Sequence, residues 1–301
     1  MKYKLTFLFL FALIFQGFTQ SLEEVPFDRT WKGKIEFLAP EETSFDWEKK
    51  GRVLVFSLFT GFEHWVIPHT EEVVRVLGEK SGAFDVERSV DIRVFELENL
   101  KSYDAIVLNN TCSERDYRNL FWDQLKRNSN GDSASLMSKA VELENNLIQY
   151  VEQGGGLMVL HGGITTLNQS EKFSELLGAS FDYHPPQQEI QIRLSNPNHP
   201  LVQAFPAEGF KHIDEPYFYN GAFSKGDFTS LLHFENASIK SQREGQELTE
   251  GVTPAAWIRE QGNGRVMYCA PSHNAQSYDN PDLLRFFLDN LQWVAGQVSF
   301  D

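Results

Sequence analysis

The sequence predicts an α/β protein of three layers, a parallel sheet between two sheaths of helices, with further strands added in the second half. Short continuous apolar runs recur at Val53-Leu54-Val55-Phe56-Ser57-Leu58, across Asp104 to Asn110 and at Leu157 to Leu160, and such runs suit strands buried on both faces. The stretches between them place apolar residues at helical spacing and close on glycine. Strands alternating with helices imply right-handed crossovers, and hence parallel strands covered on both sides.

From the N-terminus, Lys2 and Lys4 precede an eleven-residue run, Leu5 to Phe15, interrupted only by Thr6 and followed by small residues at Gly17 and Thr19. This is the three-part pattern of a secretory signal peptide, and the run falls short of the ~20 residues that span a bilayer. Residues 1–20 are therefore expected to be a cleaved leader, with a soluble periplasmic or secreted product. Residues 21–50 are polar and without clear periodicity, and are expected to form an extended arm packed on a single domain at 51–297.

Within that domain the first strand leads through a glycine-containing loop, Thr60 to His64, to a helix carrying Val66, Thr70, Val73, Val74 and Leu77. The second run is followed by Ser113 to Ser138, rich in Asn, Ser, Asp and Arg, which reads as an exposed insertion, as does Ile239 to Gly251. A helix with Ala140, Leu143, Leu147 and Val151 on one face ends at Gly154-Gly155-Gly156, and the third strand runs into His161-Gly162-Gly163. Further strands are expected at Glu189 to Leu194, Thr229 to Phe234, Ala255 to Ile258 and Gly264 to Ala270. A last helix spans Pro281 to Ala295, with Leu284, Phe287, Leu288, Leu291 and Val294 on its buried stripe.

Composition narrows the function. The chain has 27 Lys plus Arg against 42 Asp plus Glu, a formal charge of −15; without Lys2 and Lys4 the balance is 25 against 42, or −17. No basic cluster exceeds a dipeptide, so a nucleic-acid partner is not expected, nor docking on anionic lipid. Cys112 and Cys269 both close apolar strands and are expected as free buried thiols.

In a parallel sheet, ligands bind outside the carboxyl ends of the strands. That rule brings His64, Asn109 and Asn110, His161 and His273 to one rim. Three histidines there point to proton transfer or metal binding. His161 stands between a buried strand and two glycines, where a sharp elbow exposes one side chain. A histidine there is a general base, a metal ligand or an electrostatic contact. Asp214-Glu215-Pro216-Tyr217 adds two carboxylates beside an aromatic ring, a set suited to acid/base chemistry or a mixed nitrogen and oxygen metal site. His184-Pro185-Pro186 and His199-Pro200 read first as rigid turns.

Together, Gly61-Phe62-Glu63-His64, Val107 to Asn110, Gly154 to His161, Asn198-His199-Pro200, Asp214-Glu215 with Tyr217, Ala256-Trp257, and Gly264 to Tyr268 with Ser272-His273 resemble the ThuA-like, or trehalose-utilisation, family over about residues 52–296. The resemblance implies a fold similar to the class I glutamine amidotransferases, a flavodoxin-like arrangement. It also implies a link to the use of disaccharides, glycosides or 3-keto sugars. Where the amidotransferases carry an elbow cysteine this sequence has His161, so thioester chemistry is not expected.

Two readings follow. In the first the chain is an enzyme on a carbohydrate, with His161 and Glu215 as acid/base residues, Asn110, Tyr217, His184 and Asp214 contacting substrate, and His64, His161 and His273 holding a divalent metal such as zinc. In the second it is a sugar-binding accessory protein in which Phe62, Trp65, Tyr217 and Tyr219 stack on pyranose faces.

Overall fold

The computed structural model describes residues 22–129 and 131–300; the leader at 1–20 lies outside the described residues. In chain order the elements are α1 (Arg29–Leu38), β1 (Gly51–Phe56), α2 (Ile67–Ser81), β2 (Phe84–Ser89), α3 (Leu97–Leu100), β3 (Ala105–Asn109), α4 (Leu120–Asn128), α5 (Ser133–Glu152) and β4 (Gly156–Leu160). There follow α6 (Glu171–Leu177), β5 (Ser180–Tyr183), β6 (Gln188–Leu194), β7 (Phe210–Asp214), β8 (Phe218–Asn220), β9 (Thr229–Glu235), β10 (Val252–Gln261), β11 (Gly264–Cys269) and α7 (Pro281–Val294).

Nine strands form one sheet in the order β2-β1-β3-β4-β11-β10-β9-β6-β7. The first five are mutually parallel and the remaining pairings antiparallel. The second half thus adds strands to the parallel sheet, as its strand-rich sequence predicts; β11 joins it in parallel and β10, β9, β6 and β7 extend it antiparallel. β5 and β8 pair separately.

The apolar runs lie at the centre because alternate side chains must be buried on opposite faces. Val53 and Val55 of β1 join Val107, Met158 and Met267 in a core against α2 and α7. Leu54 and Phe56 join Ile106, Leu108, Val159 and Tyr268 in a second core with α4, α5 and α6. In α7, Asn280 caps the start by accepting from the Asp282 amide, and Pro281 occupies a first-turn position whose N–H has no intrahelical partner.

Two expectations are corrected. Residues 21–50 are not simply extended: Asp28 accepts from the Trp31 amide and opens α1, whose Trp31 and Ile35, one turn apart, are buried. Only two apolar positions are needed because the helix packs one narrow stripe on α2, with the Trp31 ring 4.5 Å from His69. The segment 113–138 is not one exposed loop. Asn119 caps α4, which buries Leu120, Phe121 and Trp122, and Asp132 caps α5. Three consecutive large apolar residues outweigh their polar flanks, since burying each such side chain contributes ~1.5–3 kcal/mol. The segment 239–251, by contrast, has no helix or strand, as expected. Among the described residues no helix is long and apolar enough to cross a membrane.

Candidate functional site

β2 and β3 lie on opposite sides of β1, so the chain's direction of winding reverses between β1 and β3. A crevice opens above the strand ends at such a switch point. The loops that follow β1, β3, β4 and β11 bring His64, Cys112, His161 and His273 there. Their convergence depends on tight backbone at the ends of β3 and β4. Asn110 (φ 52°) and His161 (φ 44°) both adopt the left-handed region, which costs a non-glycine residue ~1–2 kcal/mol. Gly162 sits beneath His64: a Cβ there would lie 2.6 Å from Cys112 Sγ and 2.7 Å from His64 Cε1. The Gly162 amide donates to Asn110 Oδ1 (3.3 Å) and Tyr268 Oη donates to the His161 carbonyl (3.3 Å).

At this elbow the His161 ring is wholly enclosed. Its Nδ1 is 2.8 Å from the Ala270 carbonyl, which can only accept, so Nδ1 carries the proton and Nε2 is turned toward His273 and Glu215. Nε2 lies 3.0 Å from His273 Nδ1 and 3.3 Å from Glu215 Oε2, and His273 Nδ1 is itself 3.3 Å from that oxygen. The His64 ring stands edge-on to both imidazoles, with centroids 5.1 Å away. One donor atom from each of His64, His161, Glu215 and His273 falls within 4.8 Å of the others.

Electrostatics matches this geometry. Burial first, then repulsion from His161, His273 and His184, holds His64 well below the usual imidazole range. Burial and the neighbouring His161 bring His273 down to about 3. Burial opposes charge on Glu215, but the hydrogen bond to His161 and the surrounding imidazoles outweigh it and bring the carboxyl down to about 2. Burial likewise opposes charge on His161, yet Glu215, Asp214 and the Ala270 carbonyl raise it. The cluster thus offers two neutral imidazoles, those of His64 and His273, and an ionised carboxylate that holds positive charge on His161, so one positive charge is accommodated at this point, as a proton on His161 or as a cation that displaces it.

That donor set fits a divalent metal. Zinc binds histidine nitrogen and carboxylate oxygen at ~2.0–2.1 Å in a tetrahedron, so its ligand atoms lie ~3.3 Å apart; the separations among His161, His273 and Glu215 are 3.0, 3.3 and 3.3 Å, and a His64 nitrogen lies within 4.8 Å of them. The second ring nitrogen of His161 is fixed by a carbonyl, the support that metal-binding histidines need.

A cavity of about 570 Å³ opens over the cluster, lined by Phe62, His64, Arg118, His184, Glu215 and Tyr217 among others. His184 and Tyr217, expected as substrate contacts, stack with centroids 5.4 Å apart at 19°, and His184 Nε2 is 3.6 Å from Glu215 Oε2. Asn110 and Asp214 are instead turned into the protein. Asn110 is enclosed between Gly162 and Asn109. The Asp214 carboxylate accepts from the backbone amides of Glu215 (2.7 Å) and His273 (3.4 Å), and burial raises it to about 7. Both therefore hold the cluster in place from behind.

Of the aromatic residues read as sugar platforms, Phe62 is 64 % exposed at the cavity mouth, edge-on to His64, and Tyr217 lines the wall. Trp65 packs on His69, and Tyr219 on Trp257 and Tyr268; neither lines the cavity. His199 accepts from the Leu201 amide in a turn. Cys112 and Cys269 are free and buried, as expected, and burial pushes the Cys112 thiol up to about 11. Arg115 and Arg118 also line the cavity. The sequence signal for them was present, since they follow the carboxyl end of β3, but their polar surroundings read as an exposed insertion.

A flavodoxin-like sheet whose β4 elbow presents a histidine, backed by two more histidines and a carboxylate, defines an α/β protein of the class I glutamine amidotransferase-like fold without the cysteine nucleophile. The chain belongs to the ThuA family: the family model described as trehalose utilisation matches residues 52–294. Among solved structures, a ThuA-like protein of Bacteroides uniformis superposes with a TM-score of 0.62 at 19% identity, covering 83% of this chain and 94% of that one. Another, from Parabacteroides merdae, gives 0.58 at 18% identity, covering 84% and 93%. No curated protein matches the chain significantly.

Proposed function

We propose that this chain is a carbohydrate-processing enzyme that performs acid/base chemistry on a disaccharide, glycoside or 3-keto sugar, outside the cytoplasm. The observation that carries this reading is the convergence of His64, His161, His273 and Glu215 beneath a cavity of small-molecule size. The family's description as trehalose utilisation supports the substrate class.

His161, with both ring nitrogens engaged and no face toward the cavity, acts as a ligand and positioning group. Direct proton transfer to a substrate falls to Glu215 and His184, which line the cavity and stand 3.6 Å apart. Glu215, ionised well below neutrality, is the base that removes a proton beside a sugar carbonyl. His184, about one-third exposed, is the acid that protonates a departing or developing oxygen. Tyr217 and Phe62 supply ring surface for a pyranose. A divalent metal such as zinc, held by His64, His161 and His273 beside the Glu215 carboxylate, would supply Lewis acidity toward the sugar carbonyl.

The test is turnover of trehalose and of 3-keto glycosides by the untagged protein beside its Glu215→Gln and His184→Ala variants. Each variant is expected to lose ~10²–10⁴-fold in kcat, the usual contribution of a positioned acid or base. Sugar binding unchanged across the set, with no turnover in any, would establish an accessory protein instead.

A further inference from the structure

The loop that follows β3, Ser113 to Arg118, forms one wall of the cavity and brings to it two guanidinium groups, those of Arg115 and Arg118, along with Glu114 and Asp116. In a chain of formal charge −15, two arginines facing one concave site call for a cause. Neither forms an ion pair with a carboxylate among the described residues, whereas the neighbouring Glu114 is paired with Arg127. Arg118 is half-buried, and of its five N–H donors one meets a protein acceptor among the described residues, Nη1 to the Ser113 carbonyl at a long 3.4 Å. Burial accordingly lowers its affinity for the proton.

The backbone adds a second, independent observation. Arg118 has φ 47°, a conformation that disfavours a long side chain and persists where the surroundings impose it. Of the four non-glycine residues in the left-handed region among those described, Asn110, Arg118 and His161 all surround this site. Strain is thus spent on aiming a partly desolvated guanidinium fork into the same cavity as Tyr217, His184 and Glu215. A guanidinium with spare donors matches the paired oxygens of a carboxylate or phosphate better than any neutral hydroxyl.

We propose that the cavity takes an anionic sugar derivative, its carboxylate or phosphate held by Arg118 with Arg115 while its ring faces Glu215 and His184. This rests on the carbohydrate reading above and deepens it.

Isothermal titration of glucose, trehalose, glucuronate and glucose 6-phosphate, with acetate and inorganic phosphate alone, tests it on zinc-loaded and on chelator-treated protein. Comparison of the two preparations separates the arginines from any anion bound by metal. At least one anionic sugar is expected to bind about ten- to a hundred-fold more tightly than glucose, the range of a charged hydrogen-bonded contact, and the tighter of the two identifies carboxylate or phosphate. Arg118→Gln should abolish the preference and Arg118→Lys retain part of it. Arg118→Asn, which tolerates the left-handed backbone, guards against misfolding as the cause.

Glucose or trehalose binding as tightly as the anions, or a preference that survives in both Arg118→Gln and Arg118→Asn, would overturn the proposal and leave the carbohydrate reading intact. Acetate or phosphate bound through Arg118 with no sugar bound at all would uphold the anion site and overturn the carbohydrate reading. Binding of none of the six would overturn both.

Discussion

Replacing Gly162 by alanine isolates the packing that brings His64 to His161. The backbone of Gly162 is not in the left-handed region, so the variant is tested on space alone. The added methyl would stand 2.6 Å from Cys112 Sγ and 2.7 Å from His64 Cε1, against the ~3.5–4.0 Å of ordinary carbon contacts. One neighbour or both must move by about 1 Å. Cys112 has little freedom to do so, being buried with Sγ 3.5 Å from the Gly162 carbonyl and 3.7 Å from His64 Nδ1. The displacement therefore falls on His64. Overpacking of this kind costs ~1–3 kcal/mol, and in a domain of this size each kcal/mol lowers Tm by about 2–4 °C. Thermal unfolding should show that loss. Zinc affinity, measured by competition with a chromophoric chelator, should fall about 10- to 100-fold, as when a supporting contact of a metal ligand is removed. The Cys112→Ala/Gly162→Ala double variant should recover part of both, since the vacated thiol volume readmits the ring. A Gly162→Ala protein with the parent's Tm and zinc affinity would refute the reasoning.

Other expected outcomes concern stability. The Asp214 carboxyl is raised in the fold from its ordinary 3.8 to about 7, so its contribution is fully present below about 4 and lost as pH rises to about 7; Asp214→Asn should gain stability relative to the parent across that window in denaturant titrations. His273 is depressed from 6.5 to about 3 and Glu215 from 4.5 to about 2. Their contributions are present above those ordinary values and lost as pH falls through about 3 and about 2, so His273→Asn should flatten the acid limb of the chelated protein. Trp31→Ala should cost ~3–5 kcal/mol in denaturant unfolding, because the indole is buried between α1 and His69; an unchanged midpoint would mean the N-terminal segment is dispensable.

How much of this was legible in the sequence follows from where each element lies. β1, β3 and β4 are enclosed on both faces, so their apolar runs are unbroken and their ends map the rim; His64 and His161 follow directly, and His273 follows in the same way from the end of β11. β2 and β7 lie at sheet edges, and Phe84-Asp-Val-Glu-Arg-Ser89 carries too little apolar pattern to stand out. Glu215 and Tyr217 were readable as an acidic and aromatic motif. Its meeting with His161, 54 residues earlier, depends on the tertiary return of the antiparallel extension, which no local pattern encodes. Asn110, read on the rim, and Asp214, read in the acidic motif, both point inward, since a buried polar group requires hydrogen-bond partners within the protein. Arg118 was hidden for the opposite reason, as a charged residue in a polar loop whose left-handed backbone turns it into the cavity.

The central claim is that His64, His161 and His273 form one metal-holding centre beside the Glu215 carboxylate. Elemental analysis of zinc and other divalent metals on untagged protein, beside the His161→Ala/His273→Ala variant, tests it most directly. About one equivalent of metal per chain, lost in the variant, is the result the donor set predicts. A parent protein that stays metal-free after incubation with zinc, or equal metal in both proteins, would contradict it.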